Sequence, residues 1–489
     1  MPSPDLAAVH FNTVHANTVD SNTAHFADVA ATHPDPAFPR FHPRPAQGWI
    51  NDPNGISFIN GRYHVFFQYN PDSARHHKIA WGHVSSADLV RWEEHPVALR
   101  PQDGGPDEYG CWTGVVTADG GVPTAAYSGV RSDGGHSQVV IARGSEDLVR
   151  WEQTGHVAAT MPADGMVTAV RDPFIFLFNG KRYAMQGAGL ATGQAALLLY
   201  SVEDMSDWKY QGIWLTSDHP VASEFTPAEI WECPQLVRVP DAATAPGNSM
   251  ETGASAGSGT WVMMFSLWLS GDAHEHANGV GHLIGSLTED PATGLPVFTP
   301  RAGGKSDLGR DFYAPQVVAL EDRALLWGWA NEGPGRDGRR GRSQEDIDAA
   351  GWAGVLTFPR ELSVVDGALA VSPAPEVTAY RGALRASQAS GAVALPGFAE
   401  VTVTAGSLDA PDGAVELLLA GNGSSQTVFS GSIQPGEELR VFVDASLVEV
   451  YRAGSVATTL RAYPAAGEEW QLRLPAGAAA DVWELTQPA

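Results

Sequence analysis

The sequence predicts an all-β protein, a five-bladed β-propeller followed by a β-sandwich, and three observations carry that prediction. From Trp49 onward, short β-branched and aromatic runs such as "ISFINGRYHVFFQYN" are punctuated by Gly, Asn, Pro and Asp, with almost no helical periodicity. Motifs recur in one phase: "NDPNG" with Asp52, "CWTG" with Trp112, "RDPF" with Asp172 and "WECP" with Glu232 each follow the last by sixty residues. After about Val371 the texture changes to alternating apolar and polar runs, among them "AEVTVTAGSLD" and "LRVFVDASLVEVYRAG", which suit strands half-buried in a sandwich.

Residues 1–36 carry the degenerate repeat "FNTVHANTVDSNTAHF" and are expected to form a polar N-terminal arm. Residues 37–365 are assigned to the propeller. Sixty residues suffice for four antiparallel strands with loops, and a fixed-period all-β repeat marks propeller blades or a β-solenoid. The fragment "DLVRWE" at Asp88–Glu93 returns at Asp147–Glu152 and, more loosely, as "DMSDWK" at Asp204–Lys209, so a second set of residues gives nearly the same period. A fifth motif, "RDFYAPQ" with Asp311, comes seventy-nine residues after Glu232, and the nineteen-residue excess matches the Gly/Ser/Ala-rich stretch "DAATAPGNSMETGASAGSG". The inner strand of every blade faces one channel, so Asp52, Asp172, Glu232 and Asp311 are expected to converge at one mouth. Residues 372–489 are assigned to the sandwich, which has no evident catalytic cluster and is expected to pack on the propeller or bind sugar.

Composition narrows the function. With 489 residues, 43% hydrophobic and 18% charged, the chain can build two cored domains. A formal charge of −26 disfavours nucleic acid and anionic membranes, whose phosphates need clustered Lys and Arg, and favours a small or neutral substrate. No window reaches the apolar length of a membrane helix, and the N-terminus shows neither a basic nor an apolar signal region. Only Cys111 and Cys233 are present, too few for a disulfide framework. The expectation is a soluble, cytoplasmic protein, with export by an unrecognised route and a homo-oligomer left open.

Two carboxylates flanking a scissile bond are what glycoside hydrolysis requires, one to protonate the leaving oxygen and one to attack the anomeric carbon or activate water. Glu232 lies beside Trp231, Cys233 and Pro234, a poorly solvated setting that suits a proton donor. Asp52, between Asn51 and the "PNG" turn, has donors to keep it ionised as a nucleophile. Asp172, next to Arg171, is expected to stay anionic and to hold sugar hydroxyls or stabilise positive charge. Each motif also has a plain structural reading. "NDPNG" serves a tight turn, "RDP" a local ion pair, and the two thiols small buried packing. Trp81, Trp112, Trp327 and Trp329 suit a core as well as a sugar platform. The shared phase of the repeat tips the balance toward function.

At these residues the chain resembles glycoside hydrolase family 32, the invertase, inulinase and levanase group. The resemblance runs through "WINDPNG", "FFQYNP", "WGH", "RDP", "WECP", "DFYA", "WGWANE" and "GWAGVLTFPREL" in one order, and "VFVDASLVEVY" is similar to the family's sandwich signature. It implies Asp52 as nucleophile, Glu232 as acid/base and Asp172 as transition-state stabiliser with Arg171. It also implies a covalent fructosyl-enzyme, carboxyls about 5 to 5.5 Å apart, and no metal or organic cofactor. Asn51, Gln68, Trp112 and Tyr313 match positions lining the family's fructose pocket, and with Trp81, Arg171, Asp311 and Trp329 they form the expected substrate-binding set.

Three departures stand out, the mildest being "CWTG" where aromatic-Ser-Gly is common, and a basic loop is a separate feature. The segment before "WGH" reads "SARHHKIA", with Arg75, His76 and His77 where many members carry a tryptophan, which touches leaving-group preference. Gln235 follows "WECP" where an aspartate is common, removing a charge expected behind the acid. The loop "GPGRDGRRGRSQEDIDAA" brings Arg336, Arg339, Arg340 and Arg342 into an acidic chain, for a leaving-group subsite, an oligomer contact or a solvated loop. The expected reaction is release of terminal β-fructofuranosyl residues from sucrose and short fructo-oligosaccharides. A fructosyltransferase, an exo-acting levanase or inulinase, an inverting five-bladed glycosidase and a silent fructan-binding module are the alternatives.

Overall fold

The computed structural model describes residues 32–132, 136–239, 259–270, 277–332, 341–406, 413–421 and 423–488. Most of the N-terminal arm, nearly all of the Gly/Ser/Ala-rich stretch, and Arg336, Arg339 and Arg340 lie outside the described residues.

Five antiparallel sheets surround one axis. Their inner strands are Gly48–Ile59, Gly110–Asp119, Val167–Phe178, Ile230–Val239 and Phe312–Ala319, and successive ones touch, the last returning to the first. Blades I to IV each run outward through the next three strands of the sequence. The repeated "DLVRWE" is the turn into the outermost strand. Asp88 Oδ1 accepts from the Val90 and Arg91 amides at 3.0 and 2.8 Å, Asp147 Oδ1 accepts from Val149, and Asp204 Oδ1 from Ser206. This Asx-turn chemistry explains why the fragment recurs with the blade.

Blade V closes the ring. Its strands are Phe312–Ala319, Ala324–Ala330, Arg360–Val365 and Ala368–Pro373, so the propeller runs to Pro373. Between its second and third strands the chain forms the helix Gln344–Ala350, then Trp352–Ala353, which pairs in parallel with Gly48–Trp49 of blade I, and Val355–Leu356, which pairs with Trp329–Ala330 of blade V. First and last blades are thereby stitched by one segment. Gly354, at the crossing, has φ +76°, and a Cβ there would sit 1.9 Å from the Ile50 carbonyl oxygen.

The C-terminal domain is a nearly closed β-sandwich, in the order Ser424–Gly431, Val415–Gly421, Glu468–Leu485, Phe398–Ala405, Glu438–Asp444, Leu447–Arg452, Thr458–Arg461, with Arg381–Leu395 also on Glu468–Leu485. Its inner core, mainly Val, Leu and Ala, is its own, while the propeller core extends onto the sandwich residues Phe442, Tyr451 and Leu485. Buried charge ties the two together. Arg360 of blade V reaches Asp307 at 2.8 Å and sandwich Glu449 at 2.9 Å, and both His42 ring nitrogens meet carboxylates, Asp444 at 2.7 Å and Glu449 at 3.0 Å. No described helix is long and apolar enough to cross a membrane.

Candidate active site

Each inner strand is interrupted by a bulge near its start, and the site is built on these bulges. Register skips occur between Ile50 and Pro53, Cys111 and Gly114, Arg171 and Phe174, Glu232 and Gln235, and Tyr313 and Gln316. A bulge sets two consecutive residues against one on the partner strand and re-aims their side chains. Three bulges hold a non-glycine residue in the left-handed region, Asp172 at φ 59°, Cys233 at 49° and Ala314 at 50°. Such strain costs of order 1–3 kcal/mol and persists where neighbours hold it. Here each bulge amide is caught by a side chain of the preceding blade: Asp172 N–H donates to Ser128 Oγ at 2.7 Å, Cys233 N–H to Asp172 Oδ2 at 2.9 Å, and Ala314 N–H to Ser266 Oγ at 2.8 Å.

Asp52 sits in a cage of donors. Thr113 Oγ1 donates to its Oδ2 at 2.5 Å, Gln68 Nε2 donates to the same oxygen at 3.0 Å and to Thr113 Oγ1 at 2.8 Å, and Asn51 Nδ2 donates to Oδ1 at 3.1 Å. The Trp49 indole N–H, which can only donate, fixes Asn51 by bonding its Oδ1 at 2.9 Å. Cys233 Sγ adds a weak contact at 3.5 Å, its thiol kept protonated by burial and by the surrounding carboxylates. Burial nevertheless raises the Asp52 carboxyl to about 6, Thr113 opposing and the Glu232 charge adding.

Glu232 is held at both oxygens: Arg171 Nη1 donates to Oε1 at 2.7 Å, and Tyr313 O–H donates to Oε2 at 2.8 Å. Arg171 thus pairs with Glu232, whereas the sequence suggested that it would keep its neighbour Asp172 anionic. Asp172, buried beside two other carboxylates, is pushed up to about 8, by burial first and then by the Glu232 charge, with Arg171 opposing. Three carboxylates against one guanidinium retain a shared proton near neutral pH, and that proton belongs to the cluster.

Several expectations are corrected. Asp311 does not join the mouth. It is buried at the domain junction, where Oδ1 accepts from Arg310 Nε at 3.0 Å and Oδ2 from the backbone N–H of sandwich residue Arg461 at 2.7 Å. It precedes its strand, whereas Asp52, Asp172 and Glu232 lie within theirs. Trp81 is fully buried between Phe66 and Tyr127, and its indole N–H donates to the Trp112 carbonyl, so it supports the pocket wall without facing sugar. Trp231 points away from Glu232, stacked on Phe265 at 4.3 Å, since adjacent strand residues face opposite sides. Gln235 is spent on backbone, donating to Pro234 O and accepting from Val317 N–H, and does not stand behind Glu232. Arg342 is no free loop cation: it is sandwiched by Trp352 and Tyr463 and paired with Asp35 and Glu332.

Trp112 and Trp329 keep their places as candidates. Both indole N–H groups are buried without an acceptor among the described residues, and Trp329 packs on Trp49, Cys233 and Tyr313. His76, on the departing segment, lies edge-on to both Trp112 and Trp49 at the rim. Sequence reasoning missed Thr113 and the bond-making role of Cys233. Their signal was adjacency to a motif, Thr113 after Trp112 and Cys233 after Glu232, on strands whose bulges turn neighbours inward. Among the described residues no group of three or more His, Cys, Asp or Glu is arranged to hold a metal ion.

Three carboxylates, one guanidinium and unpaired indole donors at the mouth of a five-bladed propeller define a carboxylate-centred glycan site, able to supply a nucleophile and an acid on one sugar ring. Comparison with known proteins makes this specific. The chain belongs to glycosyl hydrolases family 32: residues 42–373 match the family's N-terminal domain and residues 402–485 its C-terminal region. It is 31% identical over 354 residues to the raffinose invertase of Escherichia coli, covering 70% of this chain and 66% of that protein. It is 30% identical to the sucrose-6-phosphate hydrolase of Bacillus subtilis, covering 71% and 67%. The matched part thus spans about two-thirds of these curated relatives. In fold it is similar to the Bombyx mori GH32 β-fructofuranosidase, with TM-score 0.74, 24% identity and 95% and 97% of the two chains covered. It is also similar to fructan 1-exohydrolase IIa of Cichorium intybus, at TM-score 0.71, 22% identity and 93% and 98% coverage.

Proposed function

We propose that the protein is a retaining glycosidase that releases terminal non-reducing β-fructofuranosyl residues from sucrose and short fructo-oligosaccharides. The observation that carries the reading is a pair of partly buried carboxylates held by separate donor sets: Asp52 accepts from Asn51, Gln68 and Thr113, and Glu232 from Arg171 and Tyr313. In the first step Glu232 gives its proton to the glycosidic oxygen as Asp52 Oδ attacks the anomeric carbon and the C–O bond to the leaving sugar breaks. In the second, Glu232 takes a proton from water, whose oxygen displaces Asp52. Asp172 holds sugar hydroxyls and, as ring charge develops, stabilises it. The rings of Trp112 and Trp329 wall the sugar site, and Tyr313 and Arg171 take up the Glu232 charge after it has given its proton.

Asp52→Ala and Glu232→Ala are each expected to lower turnover of sucrose at least about a thousandfold with the fold intact by circular dichroism. Azide should restore part of the Glu232→Ala activity on a fructoside with a good leaving group, and methanolysis should give the β-methyl fructoside; the α product would exclude retention. A second reading, hydrolysis of 6-phosphorylated sucrose, is favoured by one feature, the rim segment Arg75-His76-His77-Lys78, and by the named activity of relatives such as that from Bacillus subtilis. Initial rates on sucrose, sucrose 6-phosphate, 1-kestose, inulin and levan separate the two.

A further inference from the structure

The hairpin that presents Tyr313 and Trp329 to the site is held at its open end by the other domain. Tyr313 pairs directly with Trp329 and Phe312 with Ala330, while the turn joining the two strands lies at the opposite end of the blade. An antiparallel pair frays where no turn closes it, and here that end is the catalytic one. Arg461, the last residue of sandwich strand Thr458–Arg461, grips both sides of it. Its backbone N–H donates to Asp311 Oδ2 at 2.7 Å, just before Phe312. Its guanidinium donates to the Ala330 carbonyl at 3.2 Å, just after Trp329, and pairs with Glu332 Oε1 at 3.1 Å. The Asn331 N–H donates to the Asp311 carbonyl at 2.9 Å, closing the end between them.

Glu332 extends the grip. Its Oε1 also accepts from the Gly354 N–H at 2.9 Å, at a position where an added Cβ would strike the Ile50 carbonyl and the Trp329 indole, beside Asn51. Burial alone would lift the Glu332 carboxyl, but Arg461 and Arg342 bring it down to about 2, so it stays charged across the working range. Arg461 and Glu332 are both almost completely buried, which spares their ion pair the solvent screening that weakens surface pairs.

We propose that Arg461 is a positioning residue for the acid/base machinery, a cross-domain clamp that fixes Tyr313 against Glu232 and Trp329 in the pocket wall. On this view the sandwich domain supplies part of the precision of the site, and Asp311, expected from sequence to touch sugar, is the hook the clamp holds. The inference rests on the acid/base role of Glu232 given above. Loss of the Tyr313 hydrogen bond removes a donor to the charged form of the acid/base, so the basic limb of the kcat/KM profile moves to higher pH.

The test compares Arg461→Met, Arg461→Lys, Asp311→Asn, Tyr313→Phe and the double variant Tyr313→Phe/Arg461→Met in the full chain, by pH profiles on sucrose together with thermal melting. Tyr313→Phe should move the basic limb up by about one unit. Arg461→Met should move it in the same direction and lower kcat about 10- to 100-fold, the loss expected of a small misplacement, with partial recovery in Arg461→Lys. The double variant should shift no further than Tyr313→Phe alone. A melting temperature lowered by Arg461→Met with kcat and limb at wild-type values, or shifts that add in the double variant, overturns the clamp. If Arg461→Met does not fold, Asp311→Asn carries the test, with the same upward shift supporting the proposal and an unmoved limb overturning it. An unmoved limb in Tyr313→Phe, with no azide rescue in Glu232→Ala, refutes the acid/base assignment and the clamp with it, whereas a shift in Tyr313→Phe alone refutes only the clamp.

Discussion

Asp172→Asn should make the protein more stable, by an amount that grows with pH. The Asp172 carboxyl is raised from 3.8 to about 8, by burial first and then by the Glu232 charge. A carboxyl whose folded value lies above its unfolded value favours the protonated native form. Below about pH 3.8 both states are protonated and there is no penalty; above about 8 both are ionised and the penalty is complete, so native stability falls as pH rises between them. A shift of roughly four units corresponds to a ceiling of about 6 kcal/mol at 1.36 kcal/mol per unit. The proton is shared with Asp52 and Glu232, so removing one member of the cluster should recover about 2–3 kcal/mol of it. Asparagine keeps an oxygen to accept the Cys233 N–H, so the bulge amide stays satisfied. With an unfolding entropy of about 2 cal/mol/K per residue, this is a gain of about 2–3 °C in Tm at pH 8 and close to none at pH 4. Melting curves of the two proteins at half-unit steps from pH 4 to 8.5 read it out. A Tm difference that is constant with pH, or a variant less stable than wild type at pH 8, refutes the argument that the three carboxylates strain the fold.

Two further outcomes follow from the geometry. Thr113→Val removes the short hydrogen bond to Asp52 and the acceptor for Gln68, so the Asp52 carboxyl should rise further above its present value near 6. The acid limb of kcat/KM should then move up by about one unit, with kcat/KM down about tenfold; a limb that stays put would remove Thr113 from the set of groups that tune Asp52. Arg360→Met leaves Asp307 and Glu449 buried without their shared guanidinium at the domain junction. A loss of about 3–5 kcal/mol is expected in denaturant unfolding, and a loss under about 1 kcal/mol would mean that the apolar faces alone hold the domains.

The blade count was legible because a propeller repeats chain length, and chain length survives in spacing: Asp52, Trp112, Asp172 and Glu232 are sixty residues apart since each blade spends the same number of residues on four strands. What spacing cannot carry is direction. The five bulges set the structural phase, and in that phase Asp52 is the second bulge residue, Asp172 the first, and Glu232 the residue before the bulge. The equal intervals therefore joined residues that are not equivalent in the fold, although all three reach the mouth. Asp311 fell on the far side of the same distinction. One residue earlier than Phe312, it precedes the strand and meets a backbone N–H from a domain that begins some seventy residues later.

The same limit governs the electrostatics. Neighbours in sequence suggested that Trp231 and Cys233 would desolvate Glu232 and that Arg171 would neutralise Asp172. In the fold, strand alternation sends Trp231 to the back, and the left-handed turn at Asp172 sets it and Arg171 on different partners, the guanidinium reaching across one blade to Glu232 while the carboxylate takes the Cys233 amide. Glu232 and its supporting charges are thus assembled between blades. The contacts that hold both Glu232 oxygens come from other inner strands, Arg171 from the third and Tyr313 from the fifth, so the angular closure of the propeller sets the geometry of Glu232. That closure rests on Gly354, on the segment pairing with blade I, and on the sandwich behind it, which is why a charge network remote from the sugar is expected to register in a pH profile.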